Sequence, residues 1–476
     1  GNRLDSDTLS GSALISASES CRKPRRFPMT GFPISETSPV TWPGPAPDSA
    51  DVVVIGGGVI GVTTALFLAR DGLRVVLVEK GRIAGEQSSR NWGWIRQQGR
   101  DPDELPIMIE ANTLWRQLAT ETNVDIGLTK GGVTYLAETD ADMDRYARWL
   151  THAQAHGVDT ALLSRAEAEA LIPGMSRRYK GAMHTRTDMR AEPWVAVPAL
   201  AGIAARAGAT LVENCAVRTL DIEAGRVAGV VTEQGRIAAP QVVLAGGAWS
   251  ALFLRRHGVA LPQLSVRATV AALDTAPMAY TGGAADSRIA FRPRADGGYS
   301  VAAGGFHELF VGPDAFRALP KYLTQLRAAP FGTRFLPRAP RGFPDAWRTP
   351  RHWAEDATSP FERQRVLNPA PNMAKVRKLQ ADFGDMFPDL GTPHVKAAWA
   401  GMIDTMPDVV PVIDHVPAIP GLTLGTGMSG HGFGIGPGVG RVLSALGTGR
   451  DPGHDLRRFR FDRFTDGTPM RLGPAL

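Results

Sequence analysis

The stretch that most narrows what this chain can fold into is residues 51–80, DVVVIGGGVIGVTTALFLARDGLRVVLVEK. It reads as a short apolar strand, a glycine loop Gly56-x-Gly58-x-x-Gly61, an amphipathic helix, a turn at Asp71-Gly72 and a second strand ending at Glu79. Gly56 permits the tight turn, Gly58 lets a pyrophosphate approach the backbone, and Gly61 lets the helix pack on the strand. The helix N-terminus presents free N–H groups and a positive dipole end to phosphates. Glu79, 18 residues after Gly61, is spaced to accept hydrogen bonds from ribose hydroxyls and would repel a phosphorylated ribose. A glycine-rich packing turn leaves Glu79 unexplained, so the order strand, loop, helix, strand, acid predicts dinucleotide binding, with NAD and FAD both open at this point.

Two later segments bear on that choice. Between residues 197 and 260 a helix is followed by short strands with a turn at Gly225, then by the apolar strand Gln241–Leu244 running into Ala245-Gly246-Gly247-Ala248-Trp249-Ser250. This strand and glycine turn return the chain to the first sheet, which a domain binding only NAD does not need. Residues 427–443 read GMSGHGFGIGPGVGRVL. A glycine without a role costs roughly 0.5–1 kcal/mol in regular structure, so something must lie close to that backbone.

With these residues in view the chain resembles the D-amino-acid oxidase and sarcosine oxidase superfamily of FAD-dependent amine oxidoreductases, glycine oxidase-like members included. The glycine loop with Glu79, VVLAGGAWS, WAGMIDTMPDVVPVID and GMSGHGFGIGPGVGRVL stand in that family's order, over roughly residues 51–450. The resemblance implies an α/β fold in which a discontinuous Rossmann-like FAD-binding domain (51–104, 186–260 and 392–450) is interleaved with an α+β substrate domain (105–185 and 261–391) on a mixed or antiparallel sheet. Residues 1–50 are expected to be a disordered extension, and 451–476 a C-terminal tail.

The implied FAD contacts are Gly56, Gly58, Gly61, Glu79, Lys80, Ser88 and Ser89 near the first loop, Val217 on the adenine side, Ala245, Gly246 and Trp249 at the pyrophosphate, and Gly430, His431, Gly432, Phe433 and Gly434 against the flavin ring. The helix after Gly434 would point its positive end at the edge of the ring that gathers negative charge on reduction. His431 has a second reading, a brace of the loop, which an isolated motif favours over proton transfer. Arg96 matches an arginine against the ring in sarcosine oxidases and is assigned to flavin or substrate electrostatics. Arg100 is expected to pair with Asp101 or Asp103.

Three departures from the family shape the functional expectation. The positions of its covalent attachment residues are Arg90 and Gly401 here, so the FAD is expected to be noncovalent. The lysine that sarcosine oxidases hold near the flavin aligns with Ala303; a fixed cation there stabilises developing superoxide, and its loss favours a dehydrogenase or a slow oxidase. The usual substrate carboxylate anchors align with Gly434 and Ile403, while Asp404 offers to pair with a cationic amine, a solvated loop acid being the plainer reading. His307 matches a substrate-side histidine, with a hairpin-end histidine as the alternative. Arg292 could reach a substrate carboxylate, though a strand-edge arginine in solvent is the simpler expectation.

The resulting expectation is oxidation of a C–N bond in an amine or amino acid (a secondary amine, a D-amino acid or a cationic amine) by hydride transfer to flavin N5, giving an imine that hydrolyses, with oxygen or a partner protein as acceptor. The alternative is the flavin subunit of a multi-subunit dehydrogenase. Arg96, His307 and Asp404 are the candidate catalytic residues, and no metal is expected. Net charge is +6, but arginine is scattered among acids, which argues against nucleic acid. Val52–Leu68 is apolar yet broken by four glycines, so no membrane span is expected. Cys21 and Cys215 lie too far apart for a disulfide framework or a zinc site, and a reducing, cytoplasmic setting is expected. Residues 329–354, dense in Pro, Arg and aromatics, read as a lid or a protein contact.

Overall fold

Val52–Ile55 (β1) is a run of β-branched residues buried along its whole length, which suits an interior strand of a parallel sheet. The structure, a computed structural model, describes residues 32–176, 178–277, 280–330 and 332–473. From β1 the chain passes through Val59–Arg70 (α1), Val75–Val78 (β2), Trp94–Ile95 (β3) and Leu105–Glu121 (α2), and later through Thr210–Val212 (β4), Gln241–Leu244 (β5), Val412–His415 (β6), Leu422–Thr426 (β7) and Gly432–Gly447 (α3). One sheet runs in the order β6-β7-β5-β1-β2-β4, parallel except for the β6–β7 pair. Its strands therefore come from three separate stretches of chain.

The β1–α1 turn owes its tightness to glycine. Gly56 adopts φ +109°, and a Cβ on Gly61 would overlap the Gly56 carbonyl oxygen. The glycines of α3 serve a parallel purpose. A Cβ on Gly436 would lie 2.6 Å from Val59 Cγ2, and one on Gly440 would overlap Thr63 Oγ1 on α1. Offset by two residues, Gly438 would come 2.5 Å from the Ile107 carbonyl of α2, and Gly434 3.2 Å from Ile95 Cα of β3. Residues four apart share a helix face, so alternating glycines strip two faces at once. Two side chains then reach the bared carbonyls: Thr63 Oγ1 donates to Gly436 O at 3.0 Å, and Trp115 Nε1 donates to Gly434 O at 2.9 Å. Packing within the protein thus accounts for Gly436, Gly438 and Gly440, which lie beyond the Gly430–Gly434 stretch that the resemblance set against a flavin ring.

The second sheet is centred on the strand Leu264–Leu273, paired antiparallel along its length with Val395–Thr405 and flanked by the Tyr299–Ala302 hairpin arm. Phe291, Phe383 and Phe387 fill the core behind it. The long strand Val395–Thr405 carries Gly401, Ile403 and Asp404 toward β7.

Two terminal expectations change. Residues 32–50 do not trail free: Thr41 and Trp42 donate their N–H groups to Glu213 Oε2 at 2.5 and 3.1 Å, Phe32 stacks on Trp194, and Ser49 bridges to Ala238. The expected disorder of residues 1–31 falls outside the described residues. Likewise the segment after Asp451 packs down, with Phe459 buried and Arg463 paired with both Asp408 oxygens at 2.8 and 3.0 Å.

The glycine faces give a direct test. Gly440→Ala places a methyl group against Thr63 and should cost about 1–3 kcal/mol in urea unfolding of the full chain. Gly447→Ala, whose Cβ meets nothing nearer than Val243 Cγ2 at 3.4 Å, should be neutral or slightly stabilising.

Candidate functional site

A single cavity of about 640 Å³, within the range of small-molecule sites, collects residues from every stretch of the first sheet and from the second. At one end Glu79 closes over the glycine loop: its Oε2 accepts Gly57 N–H and its Oε1 accepts Gly81 N–H, each at 2.7 Å. Desolvation raises its carboxyl above the ordinary range. Gly58 lines the cavity, and a Cβ there would press on Ser88 Oγ at 3.2 Å. Ser88 Oγ also accepts Val59 N–H at 2.9 Å, setting the first turn of α1. Val217, Ala245 and Gly246 complete this end.

Lys80 lies 4.4 Å from the centre of the Trp249 ring, and its Nζ bonds Glu86 Oε1 at 2.6 Å. Glu86 in turn accepts Trp249 Nε1–H at 3.0 Å, so cation, carboxylate and indole form one wall. The sequence reading missed Glu86. Ser89 is buried away from the cavity, its Oγ accepting Ile34 N–H at 3.2 Å, and it braces the N-terminal segment.

Opposite this wall, β3 and the residues beyond it bring Trp92, Trp94, Arg96 and Arg100 to the cavity. Arg96 donates to Gln98 O and sits 5.3 Å from the Tyr135 ring centre. Arg100 does not pair with Asp101 or Asp103, which instead take Arg458 and Arg471. It is buried with Nη1 unpartnered, and desolvation beside Arg96 brings its pKa down to about 9. Gly430, at φ +86°, faces the cavity with only Ile403 near, while His431 ends the loop at the N-terminus of α3. His307 opens the strand His307–Phe310 and also lines the cavity, its pKa lowered by burial.

Asp404 is not the solvated acid of the plainer reading. It is 2% exposed, and its Oδ2 accepts Gly427 N–H at 2.7 Å and Thr426 Oγ1–H at 3.2 Å, with Gln263 Nε2 at 3.3 Å. A carboxylate so engaged holds the β7–α3 loop in place and is not a solvated loop acid, while it also lines the cavity. Arg292 is neither solvent-facing nor at the cavity: it is fully buried in a two-pronged bond to Glu192 at 2.7 and 2.8 Å. Arg90 lines the cavity but spends its guanidinium on Asn368 Oδ1 and on the Ala400, Ile34 and Gly85 carbonyls. Gly401 lies against the Arg90 stem. Of the residues expected at a cofactor or in catalysis, all but Gly61 and Ser89 line this one cavity. No cluster suited to a metal and no helix long and apolar enough to cross a membrane occurs among the described residues.

A family model described as FAD dependent oxidoreductase matches residues 51–446. Glycine oxidase from Pseudomonas aeruginosa is 28% identical over 418 residues, 85% of this chain and 96% of that protein. The mitochondrial sarcosine dehydrogenase of Homo sapiens is 32% identical over 232 residues, 47% of this chain, and the match spans only 25% of that longer protein. Among solved structures, L-amino acid deaminase from Proteus myxofaciens in complex with anthranilate superposes with a TM-score of 0.86 at 29% identity, covering 91% of this chain and 97% of that one.

The buried acids beside the cavity make a pH prediction. Desolvation pushes Asp188 and Glu104 up to about 7, although Asp188 accepts Gln97 and Gln98 N–H groups. Both folded values exceed those of the unfolded chain, near 4, so between pH 4 and 7 the folded state holds more protons and these groups remove stability as pH rises. Asp188→Asn should abolish its share: the Tm of the variant minus that of the parent rises from pH 4.5 to pH 7.5, then levels.

Proposed function

The chain belongs to the FAD dependent oxidoreductase family, and from that premise we propose that it oxidises the C–N bond of a small amino acid. The observation that carries this reading is the joining, in one cavity, of a dinucleotide cradle at Gly56–Gly58 and Glu79 with a cationic end at Arg96 and Arg100. The cradle fits FAD: Gly56, Gly57 and Gly58 line the cavity where a Cβ on Gly58 would crowd Ser88 Oγ, α1 starts there, and Glu79 stands where ribose hydroxyls would bind. When bound, FAD supplies the two-electron acceptor for the C–H bond beside nitrogen, leaving an imine that water hydrolyses.

The protein's part is binding and orientation. Val217 would cover the adenine side, with Ala245, Gly246 and Trp249 along the pyrophosphate. Gly430 would lie nearest the ring, while Trp92 and Trp94 exclude water. Arg96 would take the substrate carboxylate, with His307 at the opposite wall. Because Asp404 is committed to its loop, an anionic substrate group is favoured over a cationic one. The FAD would be held without a covalent bond, since Arg90 is fully hydrogen-bonded and Gly401 has no side chain. In this reading the FAD-binding part comprises 51–104, 186–260 and 392–450.

An acceptor other than oxygen is favoured by Ala303 in place of a cation. A second reading, the flavin subunit of a larger dehydrogenase, draws on the exposed Phe316, Leu319, Leu323, Phe335 and Trp347, which fit an electron-accepting protein partner.

Purified full-length protein should be yellow and release its flavin on denaturation, and Glu79→Ala should weaken FAD binding. Anaerobic addition of amino acids such as glycine, sarcosine and L-alanine should bleach it, while amines without a carboxylate should not. Arg96→Met should raise KM about 10- to 100-fold, the worth of a charged hydrogen bond. Failure to bind FAD, or bleaching by simple amines alone, overturns the reading. Turnover with an artificial dye should exceed turnover with oxygen.

A further inference from the structure

One buried histidine–carboxylate pair beside the cavity has side chains to which the reading above gives no chemical role. His431 lines the cavity, yet its Nδ1 is buried without a hydrogen-bond partner and lies 3.9 Å from Glu104 Oε2. Glu104, in the last residue before α2, is completely buried, and neither carboxylate oxygen has a hydrogen-bond partner. Unpaired buried carboxylates are costly and rare, which marks this one as retained for a purpose.

Resting on the reading above, we propose that His431 and Glu104 form a proton-accepting pair that deprotonates the substrate ammonium before oxidation, with His431 the acceptor and Glu104 its positioning partner. In the step, an N–H bond of the substrate ammonium breaks and its electron pair stays on nitrogen. The proton passes to His431 Nε2, the ring nitrogen opposite the buried Nδ1. The resulting imidazolium directs Nδ1–H toward the Glu104 carboxylate. Charge is conserved: ammonium and neutral ring become neutral amine and imidazolium.

The surrounding charges make this conditional on substrate. His431 faces Arg96 and Arg100, and burial together with these cations holds the ring well below its ordinary pKa, so it rests neutral. Glu104 faces Arg100, Asp101, Arg96 and Arg458, with desolvation the larger influence on it. Tyr135 and Asp188 act on Arg100 from the remaining sides. A substrate carboxylate on Arg96 cancels part of the field that disfavours imidazolium. The ring therefore gains basicity as a carboxylate binds.

Two measurements on the full-length FAD-loaded protein test the pair. The first uses propionate, a carboxylate with no amine and no reaction. Calorimetric titration at pH 7.5 in two buffers of different ionisation enthalpy should show proton uptake on binding, lost in His431→Asn and reduced in Glu104→Gln, with the flavin spectrum of each variant certifying the fold. The second is the pH profile of anaerobic flavin bleaching by whichever amino acid bleaches the parent. His431→Asn should slow bleaching about 100-fold or more at pH 7, the scale of a lost general base, with recovery toward the parent as pH approaches the ammonium pKa of the substrate. Glu104→Gln should move the same limb upward, while Asp188→Asn should leave it in place. Proton uptake unchanged in His431→Asn, or a limb that shifts with Asp188→Asn but not with Glu104→Gln, overturns the proposal. If no amino acid bleaches the parent, the functional reading falls and the propionate titration still decides the fate of the pair.

Discussion

The structure depends on how closely α3 can approach its neighbours. With glycine at 434, 436, 438 and 440, its backbone lies against β3, α1 and α2 with no side chain of its own between, and the N-terminus of α3 is thereby fixed at the cavity. The contact is both steric and polar, because Thr63 and Trp115 bond to carbonyls that side chains would otherwise shield. Asp404 secures the preceding loop by holding Gly427 N–H. His431 inherits its position from these two restraints, as does Gly430.

The same economy runs through the polar interior. Glu213 collects Thr41, Trp42 and Ile83 amides, and Glu192 collects Arg292 and Ala295 N–H. These carboxylates satisfy loops that have no regular secondary structure to satisfy them, as buried backbone requires. Glu104 stands apart from this pattern, since no loop amide reaches it.

The first sheet was legible because its signals are local: β1, the glycine loop, α1, β2 and Glu79 follow one another within thirty residues, and each has a reason independent of the rest. The return strand β5 and the C-terminal glycine run were legible as elements, and the family resemblance supplied the cofactor contacts expected of them. What could not be read were long-range pairings. Arg292 and Glu192 are 100 residues apart, and nothing in either segment marks the other. Asp404 looked like an acid free for a ligand or for solvent because its partners, Gln263 and the Gly427 amide, lie on other elements. Glu104 sits in DPDELP, a run that reads as an ordinary charged helix start. Residues 32–50 are poor in periodicity, yet Phe32 and Trp42 are enough to anchor them. The glycines of α3 announced a close approach correctly, but sequence could not tell a cofactor from a neighbouring helix.

The order in which the sheet is assembled has a consequence for synthesis. β1 and β2 leave the ribosome early, whereas β7 and α3, which complete the cavity, emerge more than 300 residues later. Contacts of such separation are slow to form, and domains of this size commonly populate partial structures on the way. A nascent chain therefore carries the glycine loop and Glu79 for most of its translation with no enclosure around them. The cavity can therefore be complete only after α3 has been made, however early its glycine loop is ready.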